Sequence, residues 1–178
     1  MTSSWEDEFR QRIEAFETPF SAKGKGKAIS IKVRVTSGCF HREHSPYAYR
    51  IIDAQLASYS SHDREFSFIE HESGPELLVY IALGTAGISI AKSVIDLITA
   101  IIKARSEGVK RGDRPAYPLE LIVRGFRDDG KINEEIVLRF DSGNPFDREI
   151  IEKALIEKVS IVLDGAEKMK NKRRNRGK

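Results

Sequence analysis

A single cysteine, Cys39, among 178 residues leaves no internal disulfide to form, which fits a reducing compartment. Long apolar runs are missing too. Residues 77–91 carry no charge but fall short of the roughly 18–20 apolar residues of a membrane span, and extension to Ile102 takes in Lys92 and Asp96. The acidic N-terminal stretch lacks the apolar core of a secretory signal. The chain is therefore read as cytoplasmic, with membrane contact disfavoured but left open. No dinucleotide fingerprint, GxSxG, HExxH or kinase set is found. The basic stretch FSAKGKGK is no P-loop, because the first glycine of that motif is missing and Ala28 stands in place of the metal-binding hydroxyl. These absences argue against an enzyme, and no resident cofactor is expected.

What the sequence does contain is organised around residues 73–107. Ser73 followed three positions later by Glu76 has the form of a capping box, and Pro75 suits a first helical turn. A helix is predicted over 74–107, closing at Gly108, with Gly84 and Gly87 as the places for a bend. Its polar residues, among them Thr85, Lys92, Asp96, Thr99 and Lys103, form one narrow stripe, and the rest of its surface is apolar. Such a helix is buried on more than one side. The small residues Gly84, Gly87 and Ala91 then offer a face on which another helix approaches closely, and a second copy of the chain is the partner expected there.

The remaining elements follow from local periodicity. Trp5, Phe9, Ile13 and Phe16 recur at helical spacing behind a Ser4/Asp7 cap, so residues 1–20 are read as a short amphipathic helix and 21–27 as a basic linker. Residues 28–36 alternate strictly and form the clearest strand, with Ile29, Ile31, Val33 and Val35 on one face. Further strands are predicted over 47–59, 65–71, 119–126 and 132–140, the last two joined by a turn at Asp128, Asp129 and Gly130. A second amphipathic helix opens at Asn144 and Pro145 and ends at Gly165. The prediction is an α+β fold over residues 28–165. A five-stranded antiparallel or mixed sheet, in ββ-α-ββ-α order after a first strand, packs against the central and C-terminal helices.

Net charge divides unevenly. Lys168, Lys170, Lys172, Arg173, Arg174, Arg176 and Lys178 lie in a C-terminal stretch without a single acid, so the rest of the chain carries −4 although the whole carries +3. Residues 166–178 are read as a disordered basic tail able to contact a polyanion such as RNA, DNA or a ribosome. No aromatic is interleaved there to stack on bases.

For chemistry, Cys39, His41 and His44 stand together in one loop, a thiol and two imidazoles suited to a borderline metal, with His62 or His71 as a distant fourth ligand. The same loop offers Cys39 as a nucleophile with His41 or His44 as its base and Glu43 as orienter. His71 and Glu72 are a further acid/base pair, while Asp53, Glu65 and Glu70 fit no motif. Three functions follow: a non-enzymatic module self-associating through the long helix, an accessory protein holding a polyanion by its tail, and a metal-dependent enzyme using Cys39, His41 and His44.

Overall fold

The computed structural model of the protein describes residues 4–20, 26–59, 66–84, 87–141 and 147–163. In chain order they form α1 (Trp5–Glu17), β1 (Gly26–Val35), α2 (Pro46–Ala57), β2 (Phe66–His71), β3 (Gly74–Gly84), β4 (Gly87–Ser89), α3 (Lys92–Arg111), β5 (Leu119–Phe126), β6 (Ile132–Phe140) and α4 (Arg148–Leu163). The six strands make one antiparallel sheet in the order β2-β3-β1-β5-β6, with short β4 pairing with the end of β3. With helices packed on this sheet, the fold is α+β.

Strict alternation in β1 places Ile29, Ile31, Val33 and Val35 in the main core beneath α2, α3 and α4. Residues on the other side of the same strands face α1. Phe9 and Ile13 of α1 are buried there against Ala28 and Leu78, forming a second, smaller cluster. Ser4 caps α1 as predicted, its hydroxyl accepting from the Asp7 N–H. Where α1 does not reach, that face carries charge: Glu120 of β5 accepts from Arg34 of β1 and from Arg139 of β6.

Two predicted elements change type. The helix expected over 74–107 is a β-hairpin followed by a shorter helix. Ser73 does not cap anything; with Glu72 it forms the turn between β2 and β3, where His71 pairs with Gly74. Strand β3 is covered on both faces, by the core and by α1, so its residues read as a continuous apolar run. Periodicity alone does not distinguish such a strand from a buried helix. Gly84 and Gly87 pair across the β3–β4 turn, and Ala91 precedes α3, so the three small residues share no helix face. The second change is at 47–59, predicted as a strand and found as α2. Its Ile52–Ala54–Leu56 alternation is incidental, and the burial follows the helical spacing of Ala48, Tyr49 and Ile52.

Helix α3 also runs past its predicted end. It continues through Gly108 to Arg111 and closes on Gly112, whose φ of +116° is the left-handed turn a glycine cap supplies. Gly108 is needed for a different reason: a Cβ there would lie 2.1 Å from Asp113 Oδ2 and 2.9 Å from Ala48 N. At this crossing the Asp113 carboxylate accepts from Tyr47 N at 3.0 Å and Ala48 N at 2.9 Å. It caps α2 in place of the adjacent Ser45, whose side chain makes no capping bond. A cap of this kind is worth about 1 kcal/mol. Strands β5 and β6 match their predicted ranges; residues 144–146 and Gly165, the expected bounds of α4, lie outside the described residues.

Candidate thiol and imidazole site

The turn between β1 and α2 is fixed at both ends. Phe40 N donates to Glu72 O at 2.7 Å, tying it to the β2–β3 turn, and Arg114 N donates to His44 O at 3.0 Å, tying it to the connection after α3. Between these anchors, Cys39, His41 and His44 come together as their spacing predicts, with one ligand atom of each within 4.8 Å of the others. The His41 and His44 rings lie 4.6 Å apart, and His44 Nδ1 is 2.5 Å from Cys39 Sγ.

Hydrogen bonds to the rings decide which nitrogens hold protons. Arg114 Nη1 lies 3.0 Å from His44 Nε2, and a guanidinium donates but never accepts. Nε2 is therefore the acceptor of the neutral ring, and Nδ1 carries the proton and donates it to the Cys39 sulfur. His41 is arranged alike: its Nδ1 accepts from Glu43 N at 3.1 Å, leaving the proton on Nε2. A metal-bound imidazole normally donates its far nitrogen to an acceptor. Here that position on His44 faces a permanent donor, so ligation through Nδ1 requires Arg114 to withdraw. The expected result is that cobalt(II), used as a spectroscopic stand-in for zinc, gives no thiolate charge-transfer band with the wild-type chain. The Arg114→Ala variant, free to protonate Nε2, should develop one; a band of equal strength in both would show that Arg114 exerts no such control.

Behind this loop lies a buried cation. Arg105 of α3 is only 1% exposed. Its guanidinium sits between the Phe40 and Tyr117 rings, 5.2 and 5.6 Å from their centroids. Nη2 donates to Arg114 O at 2.9 Å and to Ala116 O at 3.3 Å. Nε and Nη1 find no acceptor among the described residues. Burial lowers the pKa of Arg105, opposed by Tyr117, Asp113 and Cys39. The signal for this burial was available in the sequence, because Arg105 follows Ile98, Ile101 and Ile102 by seven, four and three positions and so falls on their apolar stripe.

Other candidates resolve into structural pairs. Asp53 and Glu70 meet through Arg42, which donates to Asp53 at 2.7 Å and to Glu70 at 2.6 Å; those bonds hold the Asp53 carboxyl below its ordinary range. His71 does not work with Glu72; its Nε2 lies 2.8 Å from Glu76 Oε2. His62 and Glu65 lie outside the described residues, as do all seven tail cations from Lys168 to Lys178. Among the described residues no helix is long and apolar enough to cross a membrane. No family model matches the chain, and comparison with curated proteins and with solved structures likewise finds no match.

Proposed function

We propose that this chain is a non-catalytic interaction module that pairs with a second copy of itself, not along α3 but through the outer face of α4. One observation carries the reading. Ile150 and Ile161 are 57% and 38% exposed, although the opposite side of the same helix is filled by Ile151, Leu155, Val159 and Val162. Helix α3, the surface expected from sequence, has its apolar residues buried within the monomer.

Residues 150, 154, 157 and 161 recur at spacings of four, three and four, so they form one stripe along α4. Ala154 in that stripe permits close approach. Two copies of α4 laid antiparallel about the midpoint of 150–161 bring Ile150 against the partner's Ile161 and Ala154 against the partner's Glu157. The stripe is thus complementary to itself, as a two-fold interface requires. Four isoleucines bring about 1.5–3 kcal/mol each when fully buried. Only the exposed part of each side chain adds on pairing, 57% for Ile150 and 38% for Ile161, so after the cost of association the dimer is weak, with a dissociation constant on the order of a millimolar.

Light scattering over a dilution series should show monomer passing to dimer in that range, and Ile161→Lys should abolish the dimer while leaving the melting temperature within about 2 °C. A monomer at every concentration, or a dimer unaffected by Ile161→Lys together with Ile150→Lys, would exclude pairing through α4. Recording nucleic-acid absorbance in the same run tests the tail: co-eluting nucleic acid that disappears when residues 168–178 are removed would favour the polyanion reading instead.

A further inference from the structure

The side chain that the dimer reading leaves unexplained is Arg105. A guanidinium has five N–H bonds. Those on Nη2 reach the carbonyls of Arg114 and Ala116, while Nε and Nη1 have no acceptor among the described residues although both are shut off from solvent. Buried donors without partners are uncommon in native proteins, and each needs an explanation in terms of a water, an ion or a ligand. Among the described residues the charge has no ion-pair partner either. Asp113, the carboxylate whose field reaches Arg105, spends its two oxygens on the N–H groups of Tyr47 and Ala48. Two aromatic rings hold the faces of the guanidinium without supplying an acceptor.

A second cation stands beside the first. Arg114, whose carbonyl accepts from Arg105, sends its own guanidinium to His44 at the mouth of the same loop. The proton assignments derived above point the same way, since the imidazole nitrogens not already accepting are donors. The cluster is thus rich in donors and poor in acceptors, the arrangement that suits an anion. The turn after β1, which leads into this loop, is exposed at Thr36, Ser37 and Gly38, and Cys39 is half-buried.

We propose that Arg105, with Arg114 at the rim, forms a binding site for a small oxyanion, the carboxylate or phosphate group of a ligand, between the Cys39–His44 loop and the C-terminal half of α3. The site needs neither a metal nor the thiol, and it does not depend on the α4 dimer.

The test uses the full chain, labelled with nitrogen-15, titrated with inorganic phosphate and separately with acetate at constant ionic strength. The Arg105 Nε–H resonance should move saturably, with half-effect in the low millimolar range, for at least one of the two anions. The anion that acts tells a phosphate-bearing ligand from a carboxylate. Arg114→Ala, a change at an exposed side chain, should weaken the response at least about fivefold through loss of one charged donor. Cys39→Ser should leave it within about twofold. Thermal denaturation gives an independent reading, because a bound anion raises the melting temperature along a saturating curve. An excluded salt raises it without limit. An Nε–H resonance that stays fixed under both anions would mean that water satisfies these donors and would overturn the proposal. So would a response lost in Cys39→Ser or unchanged in Arg114→Ala.

Discussion

Replacing Glu76 by alanine is expected to cost about 3–5 kcal/mol, the range for removing one partner of a buried charge pair. Since a domain has only about 5–15 kcal/mol to lose, the variant should sit at the edge of folding. Glu76 is the third residue of β3, beside the β2–β3 turn, and is 1% exposed. Its Oε1 accepts from Ser30 Oγ at 2.5 Å, and its Oε2 lies 2.8 Å from His71 Nε2. Arg12 of α1 adds an ion-pair contact at 3.0 Å, out of line for a hydrogen bond. Burial alone would raise the pKa of this carboxyl; the His71, Ser30 and Arg12 contacts outweigh it and bring the value down from 4.5 to about 2.

A depressed pKa in the folded state means that the stabilisation is complete above the unfolded value and disappears as pH falls toward the folded one. The difference between 4.5 and about 2 converts to about 3 kcal/mol, lost between roughly pH 5 and pH 2. Urea denaturation across that interval should show the decline in the wild-type chain. In Glu76→Gln this component should be gone, leaving a shallower profile. Parallel profiles for the two proteins would rule out Glu76 as the source. The protein's one tryptophan, Trp5, sits on α1 over Arg124 at 4.8 Å, so its fluorescence should report whether α1 leaves the sheet first.

Gly74→Ala should be comparably damaging for a wholly different reason. Gly74 has a φ of +137°, and a Cβ there would lie 1.9 Å from the Val33 carbonyl oxygen and 3.2 Å from Arg34 Cα. Neighbouring backbone cannot swing aside as a long side chain can, so the β2–β3 turn has to move off β1. That turn is stitched to its surroundings by Val35 N donating to Ser73 O and Phe40 N donating to Glu72 O. Strain and lost hydrogen bonds together are expected to cost about 3–5 kcal/mol. Gly87→Ala is the control: φ is +105° there too, but a Cβ meets nothing within 4 Å, and the cost should be only about 1 kcal/mol. Equal melting temperatures for the two variants would refute the steric account. Because the Phe40 tie also positions Cys39, Gly74→Ala should blunt the anion response of Arg105 as well.

How far such features are visible in a sequence depends on how far apart the cooperating residues are. Ser4 with Asp7, the alternation in β1 and the loop cluster of Cys39, His41 and His44 are local patterns, and each is found where it is predicted. The 73–76 pattern fails for a reason equally local. A Ser and a Glu three apart satisfy the rule for a helix start, yet Gly74 and the Val33 carbonyl beside it demand a hairpin, and Glu76 is wanted by Ser30 on β1, 46 residues earlier. Helix α2 escapes notice because its cap comes from another part of the chain and its buried residues are few. The tautomers of His41 and His44 depend on Glu43 N and Arg114, the second of them 70 residues from His44, and no spacing rule reaches that far.

The borrowed cap on α2 has a consequence for the order in which the chain can assemble. Ala48 N and the Asp113 carboxylate that serves it are 65 residues apart. At about 5–20 residues per second, synthesis delivers that aspartate roughly 3–13 s after the helix it completes. Until then α2 is a twelve-residue segment, too short to persist alone in water. Until Asp113 emerges, the start of α2 therefore lacks the carboxylate that caps it.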